Sequence, residues 1–258
     1  MKSSLENINR LIGEYYPLLH AYYAPPGTGK TLLLLQEAHF AASSTGKTAI
    51  YIDTEGGAQI AYNKWHETFN KRFGSADVKI YCISDLRDLL KILGYDVEIA
   101  TNESVVTFKK VERVSSIFDS FGKNLSIVVL DSLSKVLKTA FATGMQNYAP
   151  RAQTINYICT SLATVAYSNR IPVLVSHHAT RSIKSTQKPG MYGGDSVKYE
   201  FKVVMYMQKK PNHENIVDIY LTRYFDKESW KHKATVMYTD VGVVDVSEQE
   251  LRKILFGK

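Results

Sequence analysis

Short apolar runs alternate along the chain with longer segments whose apolar residues recur at helical spacing. The runs that predict buried strands cover residues 18–23, 48–53, 78–83, 126–131 and 171–176. Because apolar strands separated by amphipathic helices are typical of parallel sheets, this pattern predicts an α/β fold, a mostly parallel twisted sheet flanked by helices. Toward the C-terminus, residues 201–208, 216–221 and 234–238 alternate apolar and polar positions, which predicts antiparallel strands along one edge of the sheet.

Two segments depart from this alternation. Residues 1–17 have apolar positions at helical spacing and predict a short amphipathic lead-in before a core domain of residues 18–258. Residues 95–108 alternate around a polar centre and predict a β-hairpin insertion, which a helix over residues 109–121 is expected to follow. We find no internal repeat or Pro/Ser-rich linker that would divide the core.

The composition of the 258 residues limits the class of protein. The apolar fraction of 45% is ordinary for a globular core. No stretch reaches the roughly 18 apolar residues of a membrane span, and the polar N-terminus lacks a signal core, so we expect a cytoplasmic protein with no membrane partner. Thirty-two Lys and Arg against 25 Asp and Glu leave a formal charge of +7, which is compatible with nucleic-acid binding. Two cysteines are too few for a disulfide framework or a zinc cluster.

The segment after the first predicted strand is the most specific motif, Ala-Pro-Pro-Gly-Thr-Gly-Lys-Thr at residues 24–31. A strand, a glycine-rich turn and a Leu-rich helix follow one another here, which is the context of a phosphate-binding P-loop. Glycines let backbone N–H groups turn toward the phosphates, and the helix directs the positive end of its dipole there. Lys30 is expected to contact the β- and γ-phosphates, and Thr31 the Mg²⁺ ion. The predicted nucleotide contacts are Pro26, Gly27, Thr28, Gly29, Lys30, Thr31 and Leu32.

Two details refine this motif. Ala24 stands where the strict pattern has its first glycine, and an alanine there requires only a negative φ. A second Gly-Lys-Thr at residues 46–48 has no glycine-rich turn before it and a strand after it. It therefore predicts a glycine C-cap at the end of the P-loop helix.

Acidic residues follow two of the predicted strands. Asp131 ends the fourth strand and is a candidate Mg²⁺ ligand together with Thr31. Glu55 follows the second strand, and because the carboxyl ends of parallel strands form the ligand-binding edge, it is the first candidate for a catalytic base. Alternatively, Glu55 is an acid at the N-terminus of the next helix. Ser132 stands where AAA+ ATPases have a catalytic Glu, which favours Glu55 as the base.

In their order, these motifs resemble the ATPase core of the RecA/RadA recombinase family, and especially a stand-alone archaeal RadA/RadB-like paralogue core. The resemblance spans about residues 18–240 and depends on the P-loop, Tyr-Ile-Asp-Thr-Glu-Gly at 51–56, Asp-Ser at 131–132, Arg-Ala-Gln at 151–153, Val-Leu-Val-Ser-His-His at 173–178 and Gly-Gly at 193–194. It implies a RecA-like P-loop NTPase fold and an ATPase that uses ATP and Mg²⁺. In that ATPase Glu55 activates the attacking water, while Asp131 and Thr31 hold the metal. His178 stands where the family has a γ-phosphate-sensing Gln, so it is implied as a catalytic residue beside Glu55 and Lys30.

The resemblance also implies single-stranded DNA as a partner, held by two loops. The first is predicted over residues 138–150, before a helix that opens at Arg151, and the second over residues 180–192. Candidate contacts to phosphates and bases, which are otherwise solvated surface residues, are Tyr148, Arg151, Arg181, Lys184, Lys188 and Tyr192. Arg223, after the penultimate strand, is a candidate finger toward the ATP of a neighbouring subunit, or else a surface arginine at a strand end.

The predicted function is ATP binding and hydrolysis on or near single-stranded DNA in recombination or repair. Two alternatives stay open. One is a recombinase-paralogue regulator with weak ATPase activity that acts through a recombinase or paralogue partner. The other is a KaiC-like or hexameric helicase-type motor. A homo-oligomer is compatible with the predicted function and with both alternatives.

Overall fold

A computed structural model of the chain describes residues 1–102, 105–141, 147–180, 188–192 and 195–256. The strands among these residues are β1 (Leu19–Ala24), β2 (Thr48–Asp53), β3 (Val78–Cys82), β4 (Tyr95–Asn102), β5 (Val105–Arg113), β6 (Leu125–Asp131), β7 (Val173–His178), β8 (Val203–Lys210), β9 (His213–Arg223), β10 (Lys233–Thr239) and β11 (Gly242–Asp245). The helices are α1 (Glu6–Ile12), α2 (Lys30–Thr45), α3 (Ala58–Phe73), α4 (Leu86–Ile92), α5 (Leu133–Ala140), α6 (Tyr148–Asn169), α7 (Asp195–Glu200) and α8 (Glu248–Phe256). None of these helices is both long and apolar enough to span a membrane.

Within the described residues, all strands except β4 and β5 form one nine-stranded sheet in the order β11-β10-β9-β8-β1-β7-β6-β2-β3. The strands from β8 to β3 in this order are parallel. Helices α1, α2 and α3 cover one face, and α4, α5 and α6 cover the other. Since β1, β2 and β6 are buried along their whole length, both of their faces must be largely apolar, which explains their continuous apolar runs. The predicted α/β fold is confirmed.

The C-terminal edge of the sheet is an antiparallel meander of β9, β10 and β11, which follows β8. The sequence predicts three of these four strands and misses β11, because four residues are too few to display an alternation. The meander ends beside α1, where the Asp245 carboxylate accepts hydrogen bonds from the N–H groups of Glu6 at 2.7 Å and Asn7 at 2.8 Å. A carboxylate from the far edge of the sheet thus caps the seven-residue helix α1.

Strands β4 and β5 form a separate antiparallel pair. This hairpin extends beyond residues 95–108 to the end of β5, so the helix predicted over residues 109–121 is wrong. Val111 lies opposite Val97 across the hairpin, and a short 3₁₀ helix (Ile117–Ser120) follows. The first half of β5 is rich in β-branched residues, which favour an extended backbone once a partner strand is present.

The loop predicted over residues 138–150 is shorter in the structure because helices occupy both of its ends, and the first of them, α5, is not predicted from the sequence. Helix α5 continues to Ala140, and α6 begins at Tyr148 rather than at Arg151. Residues 142–146 lie outside the described part of the chain. At the start of α6 the side chain of Asn147 accepts a hydrogen bond from the N–H of Val106 at 3.2 Å, which ties this junction to the hairpin.

Candidate active site

Four neighbouring parallel strands, β1, β7, β6 and β2, bring the candidate residues to one edge of the sheet. Ala24 at the end of β1 is paired in register with His178 of β7, and Asp53 of β2 with Asp131 of β6. The turns after β1 and β2 contain the P-loop and Glu55, respectively. The strand order therefore gathers the P-loop, Glu55, Asp131 and His178 at the same edge, as the sequence predicts.

The P-loop turn depends on two glycines in the left-handed region, Gly27 with φ +72° and Gly29 with φ +98°. The Thr28 hydroxyl donates to the Pro25 carbonyl at 2.8 Å, and the Tyr238 hydroxyl donates to the Gly29 carbonyl at 3.0 Å. Because Gly29 is the N-cap of α2 and has no side chain, the first N–H groups of this helix stay available to an anion. The other predicted nucleotide contacts lie in this turn or in the first turn of α2: Pro26 and Leu32.

The Lys30 side chain lies back along the turn. Its Nζ donates to the carbonyls of Ala24 at 3.3 Å and Pro25 at 3.4 Å. Lys30 is buried, and burial lowers its pKa, while the carboxylates of Asp131 and Glu55 act in the opposite direction. A buried ammonium whose hydrogen bonds to the described residues are these long carbonyl contacts is suited to gain a phosphate partner. Ala24 is the last residue of β1, so an extended backbone suffices there and no glycine is required.

The second Gly-Lys-Thr has the structure predicted for it. Gly46 is the C-cap of α2 with φ +65°, and its N–H donates to the Ala42 carbonyl at 2.9 Å. Lys47 is exposed between α2 and β2. This lysine is therefore a natural control for Lys30.

Asp131 lies at the end of β6 and is almost fully buried. Its Oδ2 accepts hydrogen bonds from the hydroxyls of Thr31 and Tyr51, both at 2.7 Å, and its Oδ1 accepts one from Ser176. Burial raises the pKa of Asp131, and these three hydrogen bonds oppose the rise. Carboxylate and hydroxyl oxygens are ligands that Mg²⁺ prefers, so Asp131 and Thr31 fit this ion.

Glu55 turns toward β6 and β7 rather than toward α3. Its Oε1 accepts hydrogen bonds from the Ser132 hydroxyl at 2.7 Å and from His178 Nε2 at 2.9 Å. The hydrogen bond from His178 is the main cause that lowers the pKa of Glu55 to about 2, so this carboxylate is ionised at neutral pH. The acid at the N-terminus of α3 is instead Asp53, which accepts from the N–H of Ala58 at 2.7 Å.

His178 connects Glu55 to helix α5. Its Nδ1 lies 2.7 Å from the Lys138 ammonium, and its backbone N–H donates to the Ser134 hydroxyl at 2.8 Å. The preceding residue, His177, is fully buried and lies with its ring edge-on to Phe201 at 5.4 Å between centroids. Of this histidine pair, it is therefore His178 that takes part in the site.

The polar side chains in this site that the sequence predictions miss include Tyr51, Ser176 and Lys138. Tyr51 and Ser176 stand near the ends of otherwise apolar strands, and buried polar groups need hydrogen-bond partners. That placement was a usable signal for contacts at the sheet edge. Lys138 has no comparable signal, because a lysine near a helix end is ordinarily a solvated charge.

The candidate DNA contacts are brought together only in part. The guanidinium of Arg151 lies 5.8 Å from the centre of the Tyr148 ring and 5.9 Å from that of Tyr192. Tyr148 is 60% exposed at the start of α6. Lys188 instead lies over the Trp230 ring at 5.0 Å. Two candidates and a motif glycine pair lie outside the described residues: Arg181, Lys184, Gly193 and Gly194.

Arg223 ends β9 and contacts α7 of the same chain. Its Nη1 donates to the Lys198 carbonyl at 2.7 Å, and its guanidinium lies 5.1 Å from the centre of the Tyr199 ring. These contacts show where the side chain lies within one subunit. Its action on the ATP of a neighbouring subunit stays a prediction.

No family model matches the chain. The DNA repair and recombination protein RadB of Methanocaldococcus jannaschii is 22% identical over 187 residues, which cover 72% of this chain and 76% of that protein. The protein of the same name from Methanosphaera stadtmanae is 28% identical over 142 residues, 50% of this chain and 59% of that protein. A crystal structure of the RadB recombinase superposes with a TM-score of 0.70 at 21% identity, covering 95% of this chain and 98% of that one. The two chains therefore share a fold over nearly their whole length.

Proposed function

We propose that the chain has a RadA/RadB-like recombinase core and that it binds and hydrolyses ATP with Mg²⁺ in DNA recombination or repair. The observation that carries the proposal is the meeting of three features at one edge of the sheet. They are the open N-terminus of α2 with Lys30, the Thr31–Asp131 pair at 2.7 Å, and the ionised Glu55. The shared name of the two relatives, DNA repair and recombination protein RadB, supports the role in DNA metabolism.

The nucleotide phosphates bind at the P-loop turn, where backbone N–H groups, the dipole of α2 and the Lys30 ammonium all favour negative charge. Thr31 and Asp131 would hold Mg²⁺, which would supply positive charge to neutralise the phosphates. The hydrogen bond from Thr31 to Asp131 is compatible with this role. A hydroxyl that donates its proton keeps oxygen lone pairs for a metal.

Glu55 orients the attacking water in this mechanism. A carboxylate with a pKa of about 2 is a weak base, so it accepts a hydrogen bond from the water and receives a proton only as bond formation makes the water acidic. Catalysis is then mostly positioning and charge neutralisation, which is typical of phosphoryl transfer. This mechanism mainly requires that the Glu55 carboxylate keeps a fixed orientation.

The decisive test compares the two lysines that follow a glycine and precede a threonine. Lys30→Ala should weaken ATP binding and abolish turnover, because it removes the ammonium from the phosphate site. Lys47→Ala removes an exposed lysine from the other Gly-Lys-Thr and should change neither quantity. Binding is measured by titration with a fluorescent ATP analogue, and turnover by phosphate release. A Lys30→Ala protein that behaves like Lys47→Ala would contradict the proposal.

The same assays separate binding from chemistry in Glu55→Gln. This variant should bind ATP normally and lose turnover by about 10²- to 10³-fold, because an amide has the same size but no negative charge. Normal hydrolysis in this variant would exclude Glu55 from the reaction. Nucleotide binding with negligible turnover in the unaltered protein would favour the regulator over the ATPase.

The proposal extends to single-stranded DNA at a surface that we call the Tyr148 surface, formed by Tyr148, Arg151 and Tyr192. Two tyrosine rings within 6 Å of one guanidinium can stack on bases while the arginine attracts phosphates. The exposure of Tyr148, 60%, supports this role. The net charge of +7 adds a favourable field for a polyanion.

A further inference from the structure

His178 is held from both sides by groups on other elements. The Lys138 ammonium lies 2.7 Å from Nδ1, and Glu55 Oε1 lies 2.9 Å from Nε2. A lysine ammonium has three donors and no acceptor, so Nδ1 must accept from it, and the single ring proton is on Nε2. Glu55 therefore receives its hydrogen bond from a neutral imidazole.

The positive charge of Lys138 favours this arrangement of the imidazole. A protonated imidazole would place a second positive charge 2.7 Å from the Lys138 ammonium, and like charges at that distance repel strongly. Glu55 is the carboxylate that acts in the opposite direction. Among the described residues, other ionisable groups near this chain of contacts are Lys30 of α2, Tyr51 of β2, Asp131 of β6, Lys135 of α5, Arg151 of α6, His177 of β7 and Tyr192.

Helix α5 has two contacts that define where Lys138 lies. The Ser134 hydroxyl, one turn earlier on the same face, accepts from the backbone N–H of His178 at 2.8 Å. The Lys138 ammonium also lies 4.8 Å from the centre of the Tyr192 ring, within the range of a cation–π contact. The helix is thus attached to the end of β7 at the level of the imidazole, and the Lys138 side chain, although exposed, has two defined contacts.

We propose that Lys138 is a positioning residue of the ATPase site: it fixes the tautomer of His178 and thereby the orientation of the Glu55 carboxylate. The proposal rests on the role proposed above for Glu55. His178 and Ser132 both donate to Oε1, so Oε2 is the oxygen that accepts from the attacking water. Without the ammonium, the ring can take the tautomer with its proton on Nδ1, and the Nε2 lone pair then repels the carboxylate.

The tautomer can be read directly in the nucleotide-free protein. Long-range ¹H–¹⁵N spectra near neutral pH, with the signals of His178 identified by His178→Gln, should show an unprotonated Nδ1 and a protonated Nε2. Lys138→Met keeps an aliphatic stem without the charge and should give mixed tautomers or a doubly protonated ring. Lys138→Arg should retain the original pattern. Lys135→Met, which removes an exposed charge from the same helix, should also leave it unchanged.

A protonated Nδ1 in the unaltered protein, or a Lys138→Met spectrum identical to it, would overturn the proposal. Kinetics give a second readout. Lys138→Met should lower kcat about tenfold and leave KM for ATP within about twofold, because the P-loop contacts are untouched. Lys138→Arg should restore most of kcat, and an unchanged kcat in Lys138→Met would also overturn the proposal. Since the spectra need no nucleotide, they test the positioning even if the chain proves to hydrolyse no ATP.

Discussion

At Gly29 two separate features exclude a side chain. Its φ of +98° costs a non-glycine residue roughly 1–2 kcal/mol, and an added Cβ would lie 2.4 Å from the ring of Tyr238. We expect Gly29→Ala to lower the free energy of unfolding by at least about 1 kcal/mol and to weaken ATP binding, because the turn and the tyrosine must both move. Denaturant unfolding and nucleotide titration measure the two effects.

Gly57→Ala is the matched control for this prediction. Gly57 has a φ of −108°, and an added Cβ there would meet no atom within 4 Å. The free energy of unfolding of Gly57→Ala should stay within about 0.5 kcal/mol of that of the unaltered protein. Suppose that the two alanine variants were equally stable and bound ATP equally well. The close approach of Tyr238 to Gly29 would then contribute neither to stability nor to ATP affinity.

The residues of the site differ in how far the sequence reveals them. Lys30 and Thr31 are predictable because their motif is contiguous, and Glu55 and Asp131 because each follows or ends a predicted buried strand. Tyr238 gives no such signal, since it reaches the Gly29 carbonyl from 209 positions further along the chain. A side chain that reaches a site from a distant segment can be recognised only when the three-dimensional structure is known.

At the scale of elements, Glu37 joins helix α2 to the segment before α1. Its Oε1 accepts hydrogen bonds from the hydroxyls of Ser3 at 2.9 Å and Ser4 at 2.6 Å. Burial raises the pKa of Glu37 to about 7 from its ordinary value of 4.5. Between these two pH values the unfolded chain loses the proton that the folded chain keeps. The contribution of Glu37 to stability therefore falls as pH rises, by up to about 3 kcal/mol above pH 7.

Glu37→Gln should remove this part of the pH dependence, because the amide stays neutral at every pH. In the unaltered protein, Glu37 should make the unfolding free energy lower at pH 8 than at pH 5. We expect urea unfolding to show a smaller loss between these two pH values in the variant. Glu67→Gln, at an exposed position on α3, is the control and should leave that difference as it is. An unchanged difference in Glu37→Gln would show that the carboxylate is ionised in the folded protein.

Elements that are buried on both faces are the ones the sequence predicts best. The strands β1, β2 and β6 have continuous apolar runs because helices cover both of their faces. The β4–β5 hairpin was harder to predict. Val111, Val114 and Ile117 have a spacing compatible with a helix, yet Val111 pairs with Val97 across the hairpin. A partner strand decided the outcome, and spacing within one segment does not reveal a partner.

For the whole molecule, the charge of +7 and the Tyr148 surface predict salt-sensitive binding of single-stranded DNA. The logarithm of the affinity should fall linearly with the logarithm of the salt concentration. Tyr148→Ala should weaken binding about tenfold, because one stacked base is lost. Tyr167→Ala, on the same helix and 82% exposed, is the matched control and should bind normally. Fluorescence anisotropy with a labelled oligonucleotide measures both.

An affinity that is indifferent to salt would rule out phosphate contacts, and equal losses in the two tyrosine variants would rule out stacking at this surface.

The fold class of the whole chain could be predicted from its alternating elements and the order of its motifs. The strand order could not be derived from the elements alone, because β1 lies between β7 and β8, whose register partners come 154 and 183 positions later in the chain. Such pairings depend on contacts between distant segments.

The Asp245 cap on α1 joins the first and last parts of the described fold. A seven-residue helix has too few internal bonds to persist in water by itself. Its first two amide protons are consequently protected by β11, and detachment of this edge strand would expose them to hydrogen exchange. Local opening at the C-terminal edge of the sheet would thus raise hydrogen exchange in the N-terminal helix.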